Sequence, residues 1–231
     1  MTTRAILFDW VDTLALMEPD WGQIWFEAMH DMDVELSEKD MVRGIRSAEL
    51  QVPEGRPLRW TESSDKGDFI QYMKIVLEEA GATVPNSEIL LNTVKSIRQC
   101  FHNSSFGLYD DVLPAIHVLK SKGIILGVIS NMYDSLKPVC RALHLEHLLN
   151  FTLTSGEAGV SKPEPGIFLE ALKLSGTAAA ETIYVGDHYE IDILGGRGAG
   201  LQTVLIDRYG RYPSFTECPR ISDLSGLINL I

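Results

Sequence analysis

Four short apolar runs in this sequence lead to a residue that can do chemistry. Ala5-Ile6-Leu7-Phe8 runs into Asp9, and Ile124 to Ile129 runs into Ser130-Asn131. Ile183-Tyr184-Val185 runs into Gly186-Asp187, with Asp192 five positions further on. Phe151-Thr152-Leu153 is followed by Lys162, set in Gly159-Val160-Ser161-Lys162-Pro163. Carboxylates, a hydroxyl and an amine together suit phosphoryl transfer. A carboxylate attacks phosphorus and forms a covalent intermediate. A lysine and a hydroxyl hold the phosphoryl oxygens as charge shifts. Asp9 and Asp187 suit Mg²⁺, a hard cation that prefers oxygen ligands and keeps waters.

These residues act together only if the runs lie side by side. Each run is short and apolar throughout, the pattern of a buried strand. Between them, Val112 to Leu119, Leu136 to Leu143, Ile167 to Leu172 and Ile191 to Ala199 read as helices, and Thr203 to Ile206 reads as a further strand. Strands alternating with helices imply an α/β core with a parallel sheet covered on both faces. In such sheets ligands bind beyond the carboxyl ends of the strands, which is where Asp9, Ser130 and Asp187 fall. An early stretch breaks the rhythm. Trp21, Ile24, Trp25, Ala28 and Met29 recur at helical spacing, as do apolar residues from Phe69 to Leu77 and from Ile89 to Ile97. Ser37 heads a helix entry, and Val52-Pro53-Glu54-Gly55-Arg56-Pro57 reads as a loop. The core is therefore interrupted by an insert of about four helices.

Composition narrows the partners. The 231 residues carry 20 Lys+Arg against 32 Asp+Glu, a net charge of −12. Such a chain lacks the basic surface that nucleic-acid backbones or anionic lipid require. No run of 18 apolar residues is present to span a membrane, and Met1-Thr2-Thr3-Arg4 lacks the pattern of a signal peptide. Cys100, Cys140 and Cys218 are far apart and form no Cys-x-x-Cys. They read as reduced thiols, not as a disulfide frame or a zinc site. A cytoplasmic location is expected.

The ordered set of motifs resembles the haloacid dehalogenase-like hydrolase superfamily. The first motif is Asp9-Trp10-Val11-Asp12-Thr13-Leu14, and the second is Val128-Ile129-Ser130-Asn131. The third is Ser161-Lys162-Pro163-Glu164-Pro165-Gly166-Ile167-Phe168. The fourth is Gly186-Asp187-His188-Tyr189-Glu190-Ile191-Asp192, followed by Gly200-Leu201. The resemblance implies a three-layer Rossmann-like core, residues 1–15 with 105–231, and a helical cap at 16–104. It implies Asp9 as nucleophile, with Thr13 steadying its loop. Thr13, Ser130, Asn131 and Lys162 would bind the transferring group. Mg²⁺ would be held by Asp9, Asp187, Asp192 and the backbone carbonyl of Val11. The expected activity is a Mg²⁺-dependent phosphatase acting on a small phosphorylated metabolite, as a monomer or homodimer.

One position departs from the pattern. Phosphatases of the family carry a second aspartate two residues after the nucleophile, which protonates the leaving group and then activates water. This chain has Val11 there, and Asp12 is no substitute because its side chain leaves in another direction. General acid–base catalysis is worth about 10²–10⁴-fold, so slow turnover of alkyl phosphates is expected. Three alternatives stay open: 2-haloacid dehalogenase-like chemistry, a phosphonatase, and a degenerate member that binds a phosphorylated ligand or a partner without turnover.

Other residues have plainer readings. His144 and His147 read as surface residues. The cluster Gly195-Gly196-Arg197-Gly198-Ala199-Gly200 closes a helix and serves packing, not a phosphate loop. Ser130 also suits a helix cap, and Asp192 suits a first-turn acid facing the helix dipole. Glu157 is given no chemical role. Trp21, Trp25, Trp60 and Tyr72 read as interior residues of the insert more than as a pocket lining. Arg43, Arg46, Arg56 and Arg59 are candidates to meet an anionic substrate.

Overall fold

The strands, in chain order, are β1 (Ala5–Phe8), β2 (Ala15–Glu18), β3 (Ser105–Leu108), β4 (Ile125–Ser130), β5 (Phe151–Thr154), β6 (Thr182–Gly186), β7 (Gln202–Ile206) and β8 (Arg220–Ile221). In this computed structural model the described residues are 2–32, 34–49, 66–83 and 86–231, with the backbone alone described at 21, 46, 49, 66–69, 98 and 101–103. The expected loop Val52 to Pro57, with Arg56, Arg59 and Trp60, lies outside them.

β1 is buried at every position, as an unbroken apolar run requires of a central strand. It runs parallel to β4 on one side and β6 on the other, with Phe8 level with Val128 and Val185. The full order is β5-β4-β1-β6-β7-β8, parallel throughout. Side chains alternate across the sheet, so each strand feeds two cores. Ile6, Phe8, Leu126, Val128, Ile183 and Val185 face one core. There they meet α5 (Val112–Ser121), α6 (Lys137–Ala142) and α10 (Leu224–Ile228), numbered in chain order with the helices below. Leu7, Ile129 and Tyr184 face the other, where Ile167, Phe168 and Ala171 of α8 (Pro165–Ser175) cover them. This is the three-layer α/β arrangement expected from the alternating runs.

The chain divides into two compact units, Met1–Leu16 with Phe106–Ile231, and Met17–Ser105. The second unit contains α1 (Trp21–His30), α2 (Glu38–Glu49), α3 (Lys66–Ala80) and α4 (Ser87–Asn103). Ser37 heads α2, its Oγ accepting from Asp40 N at 3.1 Å. Gly44 allows α2 to lie against α3, since a Cβ there would come within 2.3 Å of the Val76 carbonyl. Trp25 is buried edge-on to Tyr72, with ring centroids 5.8 Å apart, so both are interior residues of this unit. Arg43 joins Asp40 at 2.6 Å and the Ala80 carbonyl at 2.8 Å, a structural position. No helix among the described residues is long and apolar enough to cross a membrane.

Several elements differ from the sequence reading. β2 and β3 pair as a separate two-stranded sheet. Only long-range pairing reveals such four-residue segments. The short α7 (Ser155–Ala158), β8 and α10 also go beyond it. The helix expected over Ile191 to Ala199 starts earlier, as a π-helical turn at Tyr189–Leu194, and continues as α9 (Gly195–Gly198). The wide turn carries Asp192 back to His188, whose N–H donates to Asp192 Oδ2 at 3.0 Å. Gly195 and Gly196 serve close approach, since a Cβ on Gly195 would lie 3.0 Å from Phe168 and Pro163 and one on Gly196 3.0 Å from Thr203.

Candidate active site

Parallel pairing brings the reactive residues to one edge. Asp9 directly follows β1, its N–H donating to the Val185 carbonyl at 2.8 Å. Ser130 is the last residue of β4, and Asp187 directly follows β6. These strands are neighbours, so the three residues share the carboxyl end of the sheet. Ser130 is not a helix cap, because α6 begins only at Lys137. Lys162 arrives from the loop between α7 and α8 and is clamped there. Asn131 Oδ1 accepts from Lys162 N at 2.7 Å, and Asn131 Nδ2 donates to the Lys162 carbonyl at 2.9 Å. Both ends of the Asn131 amide thus position Lys162.

The lysine ammonium has three donors, and three acceptors surround it. Nζ donates to Asp9 Oδ1 at 2.5 Å, Asp192 Oδ1 at 2.7 Å and the Tyr184 hydroxyl oxygen at 2.9 Å. Tyr184 donates in turn to Asp192 Oδ1 at 2.9 Å. Lys162 is only 2% exposed. Burial pushes its pKa down, but the carboxylates of Asp192 and Asp9 outweigh this and hold it above the usual lysine value. Burial likewise pushes Asp192 up, and the ammonium of Lys162 reverses the sign, leaving the carboxyl below its usual range. Tyr184 stays protonated, raised by burial and then by the Asp192 and Asp9 carboxylates.

Asp9, Asp187 and Asp192 are all buried, and each offers an oxygen within 4.8 Å of the others. A hard, oxygen-only donor set of this kind fits Mg²⁺. Asp192 has both oxygens committed to Lys162, Tyr184 and the His188 N–H, which suits it to orienting Lys162 more than to binding an ion.

The first motif is held from outside. Thr13 is fully buried, and its carbonyl accepts from Arg208 Nε at 3.1 Å and Nη2 at 2.8 Å. Its hydroxyl has no hydrogen-bond partner among the described residues. Val11 bridges Ala15 through its backbone, and its half-buried side chain packs against the core, with no proton to give. Asp12 has φ +61, a left-handed conformation that aspartate tolerates better than most residues. Its Oδ1 is 3.4 Å from the hydroxyls of both Tyr109 and Tyr209, and its Oδ2 accepts from Arg211 at 3.3 Å.

Beyond the site, His144 and His147 are exposed. Glu157 accepts from Thr154 N at 3.0 Å and Ser135 Oγ at 2.9 Å, a capping role at α7. The three cysteines are free thiols, with Cys140 buried. The side chains of Trp21 and Arg46 lie outside the description. Sequence reasoning missed Tyr184 and Arg211. Tyr184 looks like core in an apolar strand; its only signal is a hydroxyl on the strand face that Lys162 meets.

The model of the haloacid dehalogenase-like hydrolase family matches residues 3–200. The chain is 27% identical over 219 residues to a glyceraldehyde 3-phosphate phosphatase of Methanopyrus kandleri, covering 90% of this chain and 85% of that protein. It is 26% identical over 220 residues to haloacid dehalogenase-like hydrolase domain-containing protein 3 of Danio rerio, covering 94% and 90%. Among solved structures, a predicted phosphoglycolate phosphatase from Haemophilus somnus superposes with TM-score 0.70 at 19% identity, covering 99% of this chain and 97% of that one. That last likeness speaks for the fold alone.

Proposed function

We propose that this chain, which belongs to the haloacid dehalogenase-like hydrolase family, is a Mg²⁺-dependent phosphatase that hydrolyses a small phosphorylated metabolite through Asp9. One observation carries this: a carboxylate at the end of the central strand, with a buried lysine 2.5 Å away and Asp187 at the end of the next strand. In the first step an Asp9 oxygen bonds to phosphorus as the bond to the leaving oxygen breaks. Water then attacks the phosphoryl-aspartate, releasing phosphate and restoring Asp9. Lys162 and Ser130 hold phosphoryl oxygens, and Asp192 and Asn131 hold Lys162. Asp9, Asp187 and the Val11 carbonyl would hold the ion, whose charge offsets that developing on the phosphoryl oxygens. The helical unit is the cap that the family inserts after its first motif, and the enzyme works in the cytoplasm. The phosphatase named from Methanopyrus kandleri acts on a small phosphate ester, which supports that class here.

Val11 leaves departure of the alcohol without a general acid and water without a general base. Aryl phosphates, whose leaving groups need little protonation, should therefore turn over faster than alkyl phosphates. The test is phosphate release with and without Mg²⁺ from p-nitrophenyl phosphate and from an alkyl phosphate. Slow Mg²⁺-dependent release is expected, abolished in Asp9→Asn and raised about 10²–10⁴-fold for the alkyl ester in Val11→Asp. No release from either the native chain or Val11→Asp would refute phosphate-ester hydrolysis. Val11 also motivates a second reading, a phospholigand binder without turnover. It would show stabilisation by phosphate esters with no product formed.

A further inference from the structure

Lys162 is not the only cation at the carboxylate cluster. Arg211 reaches it from the loop after β7, and Nη1 donates to Asp187 Oδ2 at 3.3 Å while Nη2 donates to Asp12 Oδ2 at 3.3 Å. Its guanidinium also stacks 4.7 Å from the centre of the Tyr209 ring, a cation–π contact. The backbone beneath it is fixed. Asp207, itself 7% exposed, accepts from Arg211 N at 2.6 Å and Tyr212 N at 3.0 Å, and it pairs with Arg220 at 3.0 Å. The side chain is 31% exposed and meets both carboxylates at 3.3 Å.

A cation on Asp187 and a guanidinium on the same carboxylate repel one another. We propose that Arg211 competes with the divalent ion for Asp187, holding that carboxylate in the ion-free chain and withdrawing onto Asp12 and the Tyr209 ring when the ion binds. Arg211 is thus a positioning residue that sets the ion's affinity. The inference rests on the metal-dependent reading above. Coupling of this kind is reciprocal: whatever the ion does to Arg211's hold, Arg211 does to the ion's.

The experiment is calorimetric titration of Mg²⁺ into the native 231-residue chain and its Arg211→Gln, Arg211→Met, Arg211→Lys and Arg141→Gln variants. Arg141 pairs with Glu146 on the surface and does not touch the cluster, so its loss controls for net charge. Arg211→Gln and Arg211→Met should bind Mg²⁺ about 5–20-fold more tightly, toward the lower end of typical coupling. Arg211→Lys should stay near the native value, and Arg141→Gln should change it less than about twofold, as expected of a distant screened charge. Equal or weaker binding by either neutral Arg211 variant, with melting temperature preserved, overturns the proposal. So does equal tightening in Arg141→Gln. Absence of Mg²⁺ binding in every protein, the native chain included, would instead overturn the metal-dependent reading itself.

Discussion

The candidate site has two cationic sides built on different physics. On one, Lys162 is buried with Asp9, Asp192 and Tyr184 at 2.5–2.9 Å, and Asn131 clamps its backbone. On the other, Arg211 reaches Asp187 and Asp12 at 3.3 Å from a partly exposed loop, with Tyr109 and Tyr209 around it. Low local dielectric strengthens the first set and makes each member costly to remove, whereas solvent screens the second. One side therefore works as fixed framework and the other as an exchangeable contact.

The largest expected effect follows from Lys162→Met. It leaves Asp9 and Asp192 buried without their ammonium, and breaking such a pair costs about 3–5 kcal/mol. Urea unfolding of the full chain measures it, and a loss under about 1 kcal/mol would erase the contrast between the two sides. The same pair sets a pH dependence. The folded pKa of Lys162 lies above its unfolded value, so its contribution is whole below about pH 10.4 and is lost as pH rises through the folded value. The stability gap between native chain and Lys162→Met should narrow as pH is raised from 9 to 12. A gap constant over that range would place the effect elsewhere.

A matched pair of tyrosine variants gives a sharper, smaller test. Tyr184→Phe removes a hydroxyl that accepts from Lys162 and donates to Asp192. Hydrogen bonds to charged groups are worth about 1.5–3 kcal/mol, and the same unfolding measurement should show that loss. Tyr209→Phe makes the identical chemical change on the exposed side and should stay within about 0.5 kcal/mol. Equal losses would mean that burial does not distinguish the two sides.

The division also marks what the sequence made legible. Asp9, Ser130 and Asp187 stand out because each closes an apolar run, and Lys162 stands out by its Lys-Pro setting after a short strand. The parallel α/β core was legible for a related reason, since fully buried strands write themselves as unbroken apolar residues, as β1 does. Tyr184 was hidden inside such a run, where an aromatic residue is ordinary packing. Arg211 was hidden by distance, 24 residues from Asp187 and 199 from Asp12, in a loop without periodicity. Loop-borne contacts depend on tertiary placement, which local pattern does not encode. The glycines of the 195–200 cluster were read as packing and helix-closing residues; Gly195 and Gly196 approach Phe168 and Thr203 closely, and Gly200 adopts φ +84 just past the helix end, in agreement.

At Asp12 the carboxylate and the backbone carry separate burdens. Asp12→Asn keeps a residue that tolerates φ +61 and removes only the charge facing Arg211 and the two tyrosines. The Arg211 pair is solvent-screened, so unfolding should change by less than about 1 kcal/mol, and by less still at high salt. Asp12→Ala removes the same charge but puts a residue that seldom adopts this conformation at a left-handed position, adding about 1–2 kcal/mol of strain. The ranking Asp12→Ala below Asp12→Asn, with Asp12→Gly recovering the strain but not the charge, would assign the cost to the backbone. If Asp12→Asn alone cost as much as Lys162→Met, the Arg211 side would be framework too, and a guanidinium so firmly held could not give way to an ion.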